Sequence, residues 1–193
     1  MAECKFDRGI AFDCAAPQQG GVKASIIALN HEDWLNSTVT IDATTKEILT
    51  ITLASTIQGY EFQVPTAANL IATSEKRDQL TYNHIVQTQV NTIEQLDLNM
   101  IAKTRTNKMV YIVKLLEGRA RVYGGHVNDP DGTPTPTGVG MLSSQDTDII
   151  SDPALGGMTD LIVGTPEGEP GEVQKPYLIA ASFDVDTLLT PAS

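Results

Sequence analysis

Aromatic side chains are scarce in this sequence, at 5% of the chain with a single Trp, so a core must be built from Val, Ile, Leu and Ala. A cleft floored by stacked rings, as a carbohydrate-cleaving site needs, is not expected from such a supply. Cysteine is almost missing as well. Cys4 and Cys14 stand near the start with no neighbouring His or Cys to complete a four-ligand zinc set. They read as small reduced thiols, without a disulfide or a metal. Long hydrophobic runs are lacking too: Ser25 to Leu29 and Met109 to Val113 are strand-sized and far too short to span a bilayer. The opening residues Met1 to Arg8 have neither the basic start nor the apolar run of a secretory signal, so folding in a cytoplasm is expected.

Positive charge is the other shortage. The formal net charge is −11, and gripping nucleic acid depends on Lys and Arg displacing counterions from phosphate. The few cations are clustered. From Lys103 to Tyr123 six basic residues (Lys103, Arg105, Lys108, Lys114, Arg119 and Arg121) face one acid, Glu117, whereas eleven acids follow from Asp129 onward against Lys175 alone. Two readings stand side by side: a basic flank that meets an acidic flank of a neighbouring copy, and a solvated surface with chance clustering.

What the chain has in quantity is alternation, the signature of half-buried strands. Strands are expected over Gly21 to Asn30, over Lys46 to Ala54 with Ile48, Thr50 and Thr52 opposite Leu49, Ile51 and Leu53, and over Tyr60 to Val64. Tyr82 to Thr92 predicts a long strand, with Val86, Thr88 and Val90 on one face and Gln87, Gln89 and Asn91 on the other. One short helix is predicted over Leu98 to Arg105, capped by Asp97 and stapled by Leu96, with Leu98, Ile101 and Ala102 as its apolar stripe. Met109 to Leu115 and Arg119 to Tyr123 then read as a hairpin turned at Glu117-Gly118. Asn128 to Gly138 carries three prolines and reads as a loop, and Gly164 to Pro176 reads as an exposed loop or arm. Gly140 to Gln145, Thr159 to Val163, Tyr177 to Ala181 and Phe183 to Leu189 complete the predicted strands. The expectation is one mainly-β domain over residues 1–193: two packed β-sheets, sandwich- or barrel-like, flanked by one short α-helix, with an N-terminal arm and loops near 128–138 and 164–176.

No residue pattern in the sequence points to catalytic or metal chemistry. His31, His84 and His126 are scattered, with no metal-ligand spacing, and there is no nucleophile elbow, phosphate loop or dinucleotide fingerprint. Asn128-Asp129-Pro130-Asp131-Gly132 lacks the distal Glu of a calcium loop and reads as a turn. Asp146 with Asp148, and Asp184 with Asp186, fall at strand spacing and read as solvated faces. No catalytic, cofactor-binding or metal-binding residue is expected, and no enzymatic activity.

The second half carries an order of elements: a long alternating strand, a short helix ending in basic residues, Met109-Val-Tyr-Ile-Val-Lys-Leu-Leu-Glu-Gly118, Arg121-Val-Tyr-Gly124, Gly140-Met-Leu-Ser-Ser144, and Ala154 to Gly164. Together with Cys4, Cys14 and Gly20-Gly21-Val22-Lys23, this resembles the tail-tube-like structural proteins of phages infecting Bacteroidetes, including the crAss-like group. The resemblance implies a virion subunit, assembled in the host cytoplasm, that closes into homo-oligomeric rings of six copies. Such rings stack on other tail or connector proteins and conduct DNA without binding it, away from any membrane. A head-to-tail connector or tail-terminator ring is the neighbouring alternative. A capsid-decoration or carbohydrate-binding β-sandwich is the more distant one, and a wall-degrading hydrolase is disfavoured. Duplex DNA should then bind no tighter than about micromolar at physiological salt. A sub-micromolar affinity in a mobility-shift assay would refute this.

Overall fold

A computed structural model describes residues 24–64, 70–77, 80–91, 95–115, 119–129, 131–143 and 158–191; Cys4, Cys14, the Glu117-Gly118 turn, Asp146 and Asp148 lie outside them. The chain runs through β1 (Ala24–Asn30), α1 (His31–Leu35), β2 (Thr38–Ile41), β3 (Ile48–Thr52), β4 (Tyr60–Val64), β5 (Ile71–Lys76) and β6 (Tyr82–Asn91). It continues through α2 (Gln95–Lys103), β7 (Met109–Lys114), β8 (Ala120–Tyr123), β9 (His126–Asn128), β10 (Thr135–Thr137), β11 (Leu142–Ser143), β12 (Met158–Gly164) and β13 (Tyr177–Ile179), and a 3-10 helix spans Val185–Leu189. The protein is mainly β, as the alternation predicts, and its two main sheets pack as an open sandwich with no closed barrel.

The larger sheet has seven strands in the order β2-β3-β13-β8-β7-β1-β4, and the smaller has four in the order β11-β12-β6-β5. Central strands β1 and β7 pair antiparallel, and they are apolar on both faces because both faces are covered. Ile26, Ala28, Met109, Tyr111 and Val113 point into a core shared with Val86, Leu161 and Val163 of the smaller sheet. Their alternates Ile27, Leu29, Val110 and Ile112 point into a second core closed by Trp34, Val127, Val185 and Leu188. The uninterrupted run Met109 to Val113 thus comes from a strand feeding two cores at once. Burying Ile27, Leu29, Val110 and Ile112 alone is worth about 1.5–3 kcal/mol per side chain.

Several expectations need correction. In β3 the pairing passes from Thr40↔Thr50 to Ile41↔Ile48, leaving Leu49 as an extra, bulged residue. The bulge flips the side-chain phase, so Ile48 and Ile51 are both buried where strict alternation had set them on opposite faces. Helix α2 already includes Gln95, which puts Asp97 inside the helix and not at its cap. Its buried side is Met100, Ile101 and Thr104, while Ala102 is exposed; Thr104 satisfies its buried hydroxyl on the Ile101 carbonyl at 2.6 Å.

The stretch Asn128 to Gly138 is only partly loop, because Thr135–Thr137 pairs with His126–Asn128 in a two-stranded ribbon. Pro136 is tolerated there since such a ribbon has an outer side on which no N–H is required. Phe183 to Leu189 is not a strand: Asp184 caps a 3-10 turn by accepting the Asp186 N–H, and Val185 and Leu188 recur at the three-residue period and are buried. Helix α1 was not foreseen; it seats Trp34, whose indole N–H donates to the Thr137 carbonyl at 2.8 Å.

One buried group stands out in the shared core. The Tyr111 hydroxyl is sealed from solvent and finds no partner among the described residues, and burial raises its pKa. Stranding a hydroxyl in apolar surroundings costs on the order of 1–3 kcal/mol. Tyr111→Phe should therefore leave stability unchanged or raise it by up to about 1 kcal/mol in chemical denaturation. A loss larger than that would reveal a hydrogen bond to the phenol.

Candidate functional site

The polar residues that the fold gathers most tightly are ones that lie far apart in sequence. Strand β12 ends the smaller sheet's contribution at Gly164, and β13 joins the larger sheet at Tyr177, so residues 165–176 must cross between the sheets. This crossing is not a free arm. Glu172 forms a two-way backbone bridge with Tyr82, at 2.8 and 2.9 Å, and its side chain is completely buried. Gly171 allows the approach: a Cβ there would sit 2.8 Å from the Thr81 hydroxyl and 2.9 Å from the Tyr82 carbonyl oxygen.

A buried carboxylate must find donors. One Glu172 oxygen accepts the Val139 N–H at 2.7 Å, and the other lies 3.1 Å from His126 Nδ1. As a carboxylate can only accept, His126 carries its hydrogen on Nδ1. Beside this pair sits His84, fully buried on β6, whose Nδ1 accepts the Gly124 N–H at 3.0 Å and whose Nε2 lies 3.0 Å from the Gln174 carbonyl oxygen. Those partners fix the neutral tautomer with hydrogen on Nε2. The imidazole also meets the Tyr123 ring edge-on, with centroids 5.6 Å apart.

The electrostatics follow from this geometry. Burial lowers the His84 pKa below its ordinary value of 6.5, and it outweighs the opposing pull of Glu172 and the Gln174 carbonyl. For Glu172 burial is again the largest single influence and pushes upward. The His126 hydrogen bond, the Val139 N–H and the fields of both histidines together outweigh it, and the carboxyl ends below its usual 4.5. Every nitrogen and oxygen named here except His126 Nε2 has its protein partner. The cluster is therefore arranged chiefly to hold chain segments together, and His126 Nε2 is its one nitrogen without a partner among the described residues.

Of the histidines read as scattered, the structure bonds His126 to the Glu172 carboxylate, sets His84 within its field, and leaves His31 apart, 2.9 Å from the Gly138 carbonyl oxygen. A signal for His84 existed, since it has the same strand parity as Val86 and Thr88, which marks it as inward-facing. Glu172, in a run of Gly, Pro and Glu, gave none. Asp129 pairs with Lys46 at 3.3 Å, and among the described residues no group of His, Cys, Asp or Glu is placed to hold a metal ion. Asp184 caps the 3-10 turn and Asp186 lies within it instead of sharing a strand face, and Asp186 pairs with Lys114.

The other candidate surface is the outer face of the smaller sheet. Val86, Leu161 and Val163 point inward to the shared core, so their alternates Ile85, Gln87, Gln89, Asp160 and Ile162 face outward, and Ile71 beside them is 52% exposed. No Lys or Arg of β5, β6 or β12 shares that face, and a groove of about 460 Å³ lined by Ile85, Leu142, Ile162 and Glu167 runs along it. No helix among the described residues is long and apolar enough to cross a membrane. No protein-family model, curated protein or solved structure matches the chain.

Acid should weaken the protein in a defined order. His84 is neutral when folded and free to protonate when unfolded, so below about pH 6.5 the unfolded chain binds the extra proton and stability falls as pH falls. Glu172 adds a further loss below about pH 4.5, where the unfolded carboxyl takes up its proton first. Urea denaturation between pH 7.5 and 5.5 should show a slope from His84 of at most about 1.4 kcal/mol per pH unit. In His84→Asn, which should start less stable, the slope should be flatter; an identical slope would rule out His84 as its source.

Proposed function

We propose that this chain is a virion structural subunit, a tail-tube-like β-sandwich that acts as a homo-oligomeric ring, six copies in the family it resembles, through which phage DNA passes. The observation that carries this reading is the half-exposed outer face of the four-stranded sheet, on which no element packs among the described residues. Such a face on an otherwise well-packed domain calls for a role, and on it strands β5, β6 and β12 present amides, isoleucines and the carboxylates of Glu75 and Asp160, with no Lys or Arg of these strands sharing the face. A lumen wall of that chemistry does not hold phosphates, which suits passage instead of binding.

The open sheet edges support the same reading. Among the described residues β2, β4, β5 and β11 each pair on one side only, leaving N–H and C=O groups that a neighbouring copy could complete. A head-to-tail contact of this kind closes into a ring when its rotation closes. The connector-ring alternative draws on the same features and differs in symmetry and stacking partner. The basic stretch offers less to such contacts than its sequence suggested. Lys108 pairs with Glu169 at 3.1 Å and Arg119 with Glu47 at 3.6 Å within the chain, and Glu172 is buried, so these do not form the pairs between copies.

Negative-stain microscopy and light scattering of the purified chain should reveal rings or stacked rings with a central opening. Gln87→Lys with Gln89→Lys should leave ring formation intact and add salt-sensitive DNA retention. A chain that stays monomeric at high concentration would overturn the proposal.

A further inference from the structure

We propose that Thr165 to Pro176 is an acid-released strap: in mildly acidic solution the His84–Glu172–His126 knot opens and the strap lifts away while both sheets stay folded. The proposal is independent of the ring reading and rests on how the strap is fastened.

The fastenings are polar. The Thr165 N–H donates to the His84 carbonyl at 3.0 Å, and the Thr165 hydroxyl accepts the His84 N–H at 2.9 Å. Further along come the Tyr82–Glu172 bridge, the Glu172 contacts to Val139 and His126, and the His84 contact to Gln174. On the outer side Arg77 donates to the Glu169 carbonyl at 2.7 Å, and the half-exposed Lys108–Glu169 pair adds a contact that salt screens. Neither hydrophobic core includes a residue between Thr165 and Pro176, and Val173, the strap's large apolar residue, is 57% exposed. Lifting the strap therefore breaks hydrogen bonds without opening an apolar core, which is the condition for opening locally at a fraction of the global cost.

The trigger is His84. With the strap closed, Nδ1 accepts from Gly124 and Nε2 donates to Gln174, so a second proton has to enter at Nδ1 and set two N–H groups against each other. The groups facing it are the Glu172 carboxylate from the strap, His126 from β9 and the Tyr123 ring from β8. Of these only Glu172 favours the proton, together with the Gln174 carbonyl; that carboxylate is already engaged by His126 and Val139, and that carbonyl already takes the Nε2 hydrogen of the neutral ring. Opening removes the Gln174 cover, lets water reach the imidazole, and lets the ring, no longer held at Nε2, turn from the Gly124 N–H and take the second proton. The ratio of open to closed strap then rises by up to about tenfold for each pH unit below the ordinary histidine range. Protonation of Glu172 adds to this at lower pH by removing its attraction to His126.

Hydrogen exchange of the whole chain, read by mass spectrometry and corrected for the intrinsic pH dependence of the chemistry, tests this. Between pH 7.5 and 5.5 the peptides covering 165–176 should lose at least tenfold of their protection, and at each pH they should stay far less protected than β1 and β7, whose protection falls only with the global stability. In Glu172→Gln, which keeps an acceptor for the Val139 N–H, the strap should open more at pH 7.5 and still respond to acid. In His84→Asn the pH response should vanish. If that variant does not fold, a proton NMR titration of the unaltered chain substitutes for it: His84 should titrate below the free-histidine range, in step with strap opening. Strap protection that stays constant with pH, or that equals that of β1 and β7 at every pH, overturns the proposal. So does a His84 that titrates like free histidine under a closed strap.

Discussion

The Glu172 carboxylate has no water to turn to, and much of the molecule's long-range order is arranged around that fact. Its backbone holds the start of β6 in the smaller sheet, and its side chain holds His126 at the ribbon and Val139 beyond it. Three segments distant in sequence are thereby tied at one point. Removing such a charge's partners is costly, whereas the intact pair adds only modest stability, so its main effect is to fix one arrangement over others. His84 completes the knot by holding Gly124, which has φ +77 and sits too close to Met141 for a side chain. The turn after β8 is thus set by polar contacts from β6 and by the absence of a Cβ.

Around this knot the apolar architecture is simple. Strands β1 and β7 supply both cores, one toward the smaller sheet and one toward Trp34 and the 3-10 turn. Among the described residues the seven-stranded sheet is therefore packed on both sides, and the smaller sheet keeps one half-exposed face on which no element packs. That asymmetry links packing to the proposed role. The rigid, doubly covered sheet forms the body, and the half-exposed face and open edges are what remains for contact with other copies or with a passing polymer. A strap that can leave without opening either core would change the surface of such a subunit without unfolding it.

The strands were legible wherever burial follows a simple period. Tyr60 to Val64 and Tyr82 to Asn91 announce their faces, and Met109 to Val113 its complete burial. The failures came where a local contact breaks the period. The Leu49 bulge shifted the phase of β3, the Asp184 cap turned a strand-like run into a 3-10 helix, and pairing with His126–Asn128 turned Thr135–Thr137 from loop to strand. Helix α2 was found but misplaced by a few residues, because Asp97 suits a first turn as well as a cap.

By itself, then, the sequence determined a mainly-β chain with an aliphatic core, an acidic balance and a long amphipathic strand, since composition and alternation act residue by residue. Only the tertiary structure decided that Gly164 to Pro176 is a fastened strap, that His126 bonds the Glu172 carboxylate and that His84 lies within its field. Chain entropy and polarity alone favour leaving such a Gly- and Pro-rich segment in water. What reverses that preference is a set of donors, Val139 N–H, His126 and the Tyr82 amide, which are brought together only once both sheets have formed.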